Sequence, residues 1–410
     1  MKDGHAPPGD RPWDPSEPNA IDCLQVIYKV AERCNLKCSY CYYYFMGDET
    51  ALERPAKASL NTSRAFGQWL ADGARELGVR TVHISFHGGE PMLVRALEFA
   101  KACQMFREVI GPVAEVRFSI QTNATLLTEG WLEALRAFQV SVGVSIDGRR
   151  GDHDRFRLDH QGRSTFDTTE AAIKRLVAES RTAPWLSPGT ISVIDPRVDY
   201  ASTYRYLRGL GVRTMHFLLP DRNADDLSEA VEAQAERIGQ GLLDLFRAWL
   251  DEGDPEIQVR FITETLAHFE NTPVDPAAAS QRKKNQIIVA RSDGTVAIDD
   301  SLIPALEWYS ATPEFAITDY SLREVFKDPI FMTLEAVEAS LPTACDGCRW
   351  TSICRGGDLE NRYSKQTGFD NRSVYCRTYK TLYDGICREL AGRGYPHAEI
   401  ERRFGALSDA

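Results

Sequence analysis

The sequence has no apolar stretch long enough to cross a bilayer: charges interrupt its longest hydrophobic runs every few residues, whereas a spanning helix needs about 20 apolar residues. No membrane association is expected. It has no excess of basic charge either. Its 48 Lys and Arg are outnumbered by 59 Asp and Glu, for a formal net charge of -11. That balance argues against nucleic acid as a partner, because such binding runs on cationic side chains neutralising phosphates. The segment Met1–Ala20 is rich in Pro, Asp and Gly and lacks the apolar core of a signal peptide. Export is without support, a short flexible tail is the reading, and a cytoplasmic location is expected. Internal repeats and low-complexity tracts are absent. The ten cysteines are then metal ligands or buried thiols before they are disulfides, which a reducing compartment does not sustain.

What is present suffices for a large folded protein. Its 410 residues are 43% hydrophobic and 26% charged, an ordinary globular composition, and the length points to one barrel or sheet with a second module. Short β-type runs near Leu24–Val30, Thr81–Phe86, Glu115–Ile120, Val140–Ser145, Thr190–Ile194 and Thr214–Leu218 alternate with helical patterns, as parallel βα units do. The helical patterns fall at Phe66–Leu77, stopped by Gly78, then at Leu93–Val109, Thr128–Phe138, Thr165–Glu179 and Tyr200–Leu210. Together they predict an α/β fold, a partial (β/α)6 barrel resembling a TIM barrel, with its chemistry at the C-terminal ends of the strands. After Pro220 the alternation stops, and Leu227–Leu250 reads as one long amphipathic helix. Gln281–Asp300 reads as a hairpin around Ser292-Asp293-Gly294.

The loop after the first strand holds Cys34-Asn-Leu-Lys-Cys38-Ser-Tyr-Cys41. Three thiolates on a four-iron cube leave one iron open, as a catalytic zinc keeps an open position. A zinc knuckle is the alternative, but it needs a fourth Cys or His nearby, and only His83 lies between Glu32 and Phe86. After the second strand comes His87-Gly88-Gly89-Glu90-Pro91, where two glycines allow close backbone approach and a carboxylate can accept from an ammonium. The third and fourth strands end in Gln121-Thr122-Asn123 and Ser145-Ile146-Asp147-Gly148, polar clusters that also suit plain turns. Toward the C-terminus, Cys345-Asp-Gly-Cys348, Cys354 and Cys376 supply four thiolates, enough to saturate a cube or to build a zinc ribbon.

The CxxxCxxC spacing after a first strand, with Tyr40 before the third cysteine, resembles the radical S-adenosylmethionine superfamily, and His87–Pro91 resembles its GGEP motif. In that family the open iron chelates the amino and carboxylate groups of S-adenosylmethionine, and an electron from the [4Fe-4S] cluster cleaves the sulfonium to a 5′-deoxyadenosyl radical. The resemblance implies Cys34, Cys38 and Cys41 as cluster ligands. It implies Gly88, Gly89, Glu90, Pro91, Asn123, Ser145, Asp147 and Arg157 around the cofactor, with Arg157 pairing the cofactor carboxylate, and a flavodoxin or ferredoxin as electron donor.

The C-terminal cysteines are similar to the SPASM extension of peptide-modifying relatives, which usually holds two auxiliary clusters. Here Asp358 and Asp299 stand where two further cysteines would be, and Cys23, Cys103 and Cys387 do not fit those places. One auxiliary [4Fe-4S] cluster on Cys345, Cys348, Cys354 and Cys376 is the expectation. Asp300 resembles in position the carboxylate that sulfatase-maturing relatives use as a base, although carboxylates in hairpins are usually solvated. The expected divisions are a tail over 1–21, the barrel over 22–235, a helical bridge over 236–290, a SPASM-like domain over 291–390 and a tail over 391–410.

The aromatic run Tyr42-Tyr43-Tyr44-Phe45 and the Gly356-Gly357-Asp358 segment look most like maturases that cross-link peptide side chains. The leading expectation is a precursor-peptide substrate that loses a β-hydrogen and bonds to a neighbouring aromatic ring, a cyclophane. Formylglycine formation in a sulfatase, or thioether formation or epimerisation, is the alternative within the enzyme class. An iron–sulfur electron carrier is the alternative outside it. Leader recognition would fall to the barrel mouth, the 227–290 region or a separate protein.

Overall fold

The computed structural model describes residues 21–270 and 285–405. Residues 1–20 of the tail expected over 1–21, residues 271–284, which include Gln281–Lys284 of the hairpin, and residues 406–410 lie outside that range. Six parallel strands run in the expected order: β1 (Cys23–Ala31), β2 (Thr81–Gly88), β3 (Glu115–Thr122), β4 (Ser141–Ser145), β5 (Gly189–Val193) and β6 (Thr214–Leu218). The crossover helices between them are Leu60–Leu77, Ala96–Ile110, Glu129–Ala137, Phe166–Glu179 and Tyr200–Gly209. Their ends follow local chemistry. Ser59 caps the first by accepting from the Thr62 N–H, and Gly78 closes it at φ 67°, a left-handed position that a side chain would strain.

The strands alternate faces. Tyr28 of β1 points outward, stacking on Phe66 at 5.5 Å and meeting Phe106 edge-on at 5.9 Å between centroids. Its neighbour Lys29 therefore points to the other face, toward the lumen. The inward face of β2, β3 and β4 carries His83, Ser85, His87, Ser119, Gln121, Ser141 and Ser145, so the lumen is polar where a closed TIM barrel is filled by branched apolar residues.

Beyond the six strands the sheet grows at both ends. Gln258–Val259 adds β7 beside β6. On the other side β8 (Asn285–Ala290) pairs in parallel with β1, and β9 (Thr295–Ala297) and β10 (Phe315–Ala316) continue antiparallel, giving ten strands in one sheet among the described residues. The Ser292-Asp293-Gly294 turn is present, with Gly294 at φ 89°. Two of the expected divisions are crossed by continuous structure. A helix runs from Glu229 to Glu252 across 235/236, and the β8–β9 hairpin spans 290/291.

The C-terminal helix Cys376–Gly392 lies along Glu229–Glu252. Gly239 and Gly385 make the close contact, and the Thr378 hydroxyl donates to the Ala235 carbonyl at 2.6 Å. The tail expected from 391 is instead packed as far as Gly405. Helix His397–Phe404 buries Ile400 and Phe404, the latter 4.9 Å from Phe269 and 5.4 Å from Trp350 between ring centroids. Two apolar residues one turn apart in a charged segment are enough to anchor it.

Candidate cluster and cofactor site

The loop leaving β1 carries Cys34, Cys38 and Cys41, and a short helix, Tyr42–Phe45, starts directly after the third. All three thiols are partly buried. Burial pushes Cys34 up to about 12 and Cys38 up to about 11, each raised further by its neighbouring thiols, and burial raises Cys41 as well. Groups that repel one another's ionisation in this way share one space. Only a strong cation displaces their protons, because the thiolate is the ligand form.

The Gly-Gly-Glu turn after β2 closes on that loop. The Gly89 N–H donates to the Ala31 carbonyl at 2.8 Å, and the Glu90 N–H to the Arg33 carbonyl at 2.9 Å. Gly88 sits at φ 121°, and a Cβ there would stand 2.1 Å from the Ala31 oxygen; a Cβ on Gly89 would stand 2.1 Å from the Tyr44 hydroxyl. The glycines thus bring the turn against the cysteine loop itself. Glu90, expected as an acceptor for an ammonium, already accepts from the Met92 N–H at 2.9 Å, the Thr122 hydroxyl at 2.6 Å and the Asn123 N–H at 2.8 Å. Burial nevertheless lifts its carboxyl to about 7. Its role in this structure is to tie the ends of β2 and β3 together.

Asn123 donates to Asn35 at 3.0 Å and lies 4.0 Å from the Cys34 sulfur. Ser145 accepts from Gln121 at 2.8 Å. Arg157, expected to face a cofactor carboxylate, has a resident one: its Nε donates to Asp147 Oδ2 at 3.0 Å. The same oxygen accepts from the Tyr40 hydroxyl at 2.6 Å, while Oδ1 takes the Val193 N–H at 3.1 Å. The residues expected from the first four strand ends therefore gather at one end of the barrel, around the three thiols.

Asp300 is buried rather than solvated. It forms an ion pair with Lys29, also fully buried, and accepts from the Tyr42 hydroxyl at 3.2 Å. Burial works to raise its carboxyl, but the Lys29 ammonium outweighs that and holds it below the usual range. Lys29 also donates to Tyr42 at 3.2 Å, lies 3.3 Å from His87 Nδ1 and sits 4.5 Å from the centroid of the Tyr43 ring. Neither Lys29 nor His87 is among the site residues expected from the sequence. The available signal was a lone charge in the apolar run Leu24–Val30, on the strand's polar phase. Glu32 was missed too; it accepts from the Tyr43 hydroxyl and from the Ser292 N–H at 3.1 Å, joining the cysteine loop to the hairpin turn.

The four C-terminal cysteines converge. Burial first, then Cys345, Cys376 and Cys348, push Cys354 up to about 11, and Cys345 is raised by burial and by Cys376 and Cys348. Helix packing against Glu229–Glu252 returns Cys376 to the Cys345–Cys354 loop. Asp299, Asp358, Glu360 and Asp221 face a common space: burial and then Asp358 raise Glu360, and burial and then Asp300 lift Asp221 to about 6. Among the described residues no three His, Cys, Asp or Glu side chains are arranged to hold one metal ion. A structural zinc would need four donors about 2.0–2.3 Å from a single point. A cube takes each thiolate at a separate iron. Cys103 and Cys387 are buried thiols within helices.

Residues 28–183 match the family described as the Radical SAM superfamily. The cysteine-type anaerobic sulfatase-maturating enzyme of Clostridium novyi is 22% identical over 373 residues, covering 88% of this chain and 94% of the relative. The serine-type enzyme of Klebsiella aerogenes is 24% identical over 349 residues, covering 83% and 81%. The fold is similar to anSMEcpe with bound AdoMet and Cp18Cys peptide, with a TM-score of 0.73 at 20% identity over 90% of this chain and 98% of the other. It is also similar to Streptococcus suis SuiB bound to the precursor peptide SuiA, with a TM-score of 0.58 at 14% identity over 87% of this chain and 76% of the other. Three converging thiols behind the first strand, the Gly-Gly-Glu turn hydrogen-bonded to their loop and the family match over residues 28–183 together give this chain a radical SAM domain.

Proposed function

We propose that the chain modifies a ribosomally made peptide, removing a side-chain hydrogen and closing a carbon–carbon cross-link to an aromatic ring. On this reading Cys34, Cys38 and Cys41 hold a [4Fe-4S] cluster, Gly88, Gly89, Pro91, Asn123 and Ser145 surround S-adenosylmethionine, and Cys345, Cys348, Cys354 and Cys376 hold an auxiliary cluster. When bound, these groups supply electron transfer and a carbon radical able to take hydrogen from unactivated carbon.

The observation that carries the reading is the placement of Asp300. A carboxylate held as an anion lies against Tyr42, the residue after Cys41, so a proton acceptor adjoins the cysteine loop. Cross-linking removes two hydrogens in all: one would leave as an atom to the carbon radical, the proton of the other has Asp300 to receive it, and the remaining electron would pass to the auxiliary cluster. Tyr42 and Tyr43 wall that space.

A second reading has equal support from the relatives: conversion of a sulfatase Cys or Ser to formylglycine, as the names of the Clostridium novyi and Klebsiella aerogenes enzymes indicate for those proteins. Product mass separates the two. Anaerobic incubation of reconstituted protein with S-adenosylmethionine, dithionite and the short peptides encoded beside its gene should give a product lighter by two hydrogens and inert to aldehyde reagents. A hydrazine-reactive product establishes the second reading instead, and absence of S-adenosylmethionine cleavage sinks both.

A further inference from the structure

The Lys29 ammonium has three N–H donors and no acceptor, and the structure uses all three. One goes to Asp300, one to the Tyr42 oxygen at 3.2 Å and one to His87 Nδ1 at 3.3 Å. Lys29 is 0% exposed and Asp300 4%, so neither has water as an alternative partner. A ring nitrogen that meets an ammonium donor is the bare one, which places the proton of a neutral His87 on Nε2. Burial, and then Lys29 itself, hold His87 down to about 3 and therefore neutral. His87 is only half-buried, and besides Lys29 and Asp300 its ring meets the Gly88 backbone.

We propose that Lys29 is a positioning residue that pins Asp300 as an acceptor and His87 as an Nε2–H donor side by side, the donor meeting a backbone carbonyl of the peptide and the acceptor its departing proton. This rests on the peptide-modifying reading above. A peptide chain offers carbonyl oxygens as its commonest acceptors, and a neutral N–H beside an anionic carboxylate can seat one without bringing a competing charge.

The surroundings of Asp300 bear on its titration. Besides Lys29 and His87 they are Tyr42 and Tyr43 from the cysteine loop, Arg291, Asp299 and Tyr309 from the hairpin and the segment after it, and Asp221 after β6. Arg291 is the other cation, and it stays when Lys29 is removed. Losing Lys29 should therefore raise the Asp300 midpoint without freeing it entirely from positive charge.

Infrared pH titration of the reconstituted holoenzyme tests this without any peptide, the Asp300 carboxyl band being assigned by its loss in Asp300→Asn. The wild type should titrate below the ordinary value of about 3.9. Lys29→Met, at wild-type iron content, should titrate at least one pH unit higher, and Lys29→Arg in between. An unmoved midpoint in Lys29→Met overturns the proposal. Peptide turnover supplies the second arm. Lys29→Met should lose about 100-fold in kcat and show an acidic limb displaced upward, while His87→Leu should raise KM about tenfold and His87→Gln, which keeps an N–H donor, should recover most of that. A wild type that cleaves S-adenosylmethionine but alters no peptide removes the proposed function and leaves the infrared result to judge Lys29 alone. An active wild type with an indifferent Lys29→Met removes the inference and leaves the function.

Discussion

Asp147 accepts from Arg157 Nε at 3.0 Å, with the two residues 5% and 7% exposed. The pair bridges the end of β4 and the segment behind it, next to the cysteine loop, and the Tyr40 hydroxyl completes it. Breaking a buried pair from one side leaves an uncompensated charge and costs about 3–5 kcal/mol. Asp147→Asn should lose that much in denaturant unfolding, and equilibrium dialysis should show weakened S-adenosylmethionine binding. A variant that binds the cofactor normally would mean the pair acts on stability alone.

Gly88 offers a backbone test. At φ 121°, with the Ala31 carbonyl oxygen 2.1 Å from where a Cβ would stand, Gly88→Ala combines backbone strain of about 1–3 kcal/mol with a clash against backbone that has no rotamer to change. The turn should lift from the cysteine loop, and reconstitution should recover well under half the iron of the wild type at the first site, measured by iron and sulfide content.

The two cysteine groups should separate cleanly. With four irons in each cube, Ala substitution of Cys34, Cys38 and Cys41 together should lower iron from about eight to about four per chain and abolish S-adenosylmethionine cleavage. Ala substitution of Cys345, Cys348, Cys354 and Cys376 should lower iron equally but leave cleavage measurable while peptide product disappears. Equal loss of cleavage in both would show that the C-terminal group supports the first site structurally.

His153 gives a pH dependence. It is fully buried with Nε2 3.0 Å from the Thr165 hydroxyl, and burial, aided by Arg157, lowers it to about 3. The folded state thus prefers the neutral ring. Its contribution is complete above the ordinary histidine value of about 6.5 and is lost as pH falls toward 3, at up to about 1.4 kcal/mol per pH unit. Unfolding free energies between pH 7 and pH 4 should show this slope, and His153→Phe should flatten it.

The barrel was legible because its strands are short β-rich runs at regular spacing, separated by helical patterns with stops such as Gly78. The cysteine loop and the Gly-Gly-Glu turn were legible because each is contiguous in sequence. Lys29 was not, because its meaning depends on Asp300, which is 271 residues away. The pairing of Asn285–Ala290 with β1 was hidden for the same reason: a parallel strand partner leaves no local signature. That Glu90 also accepts from Thr122 and Asn123 was not legible, because those residues come beside it only once β2 and β3 are paired.

The first strand is interior to the sheet, flanked by β2 on one side and by a strand more than 260 residues downstream on the other. During synthesis, then, β1 emerges early and keeps a bare hydrogen-bonding edge until most of the chain has been made. A fragment ended before residue 285 would carry that edge permanently, a template for intermolecular strand pairing, so the cluster-bearing half should be sticky when expressed by itself.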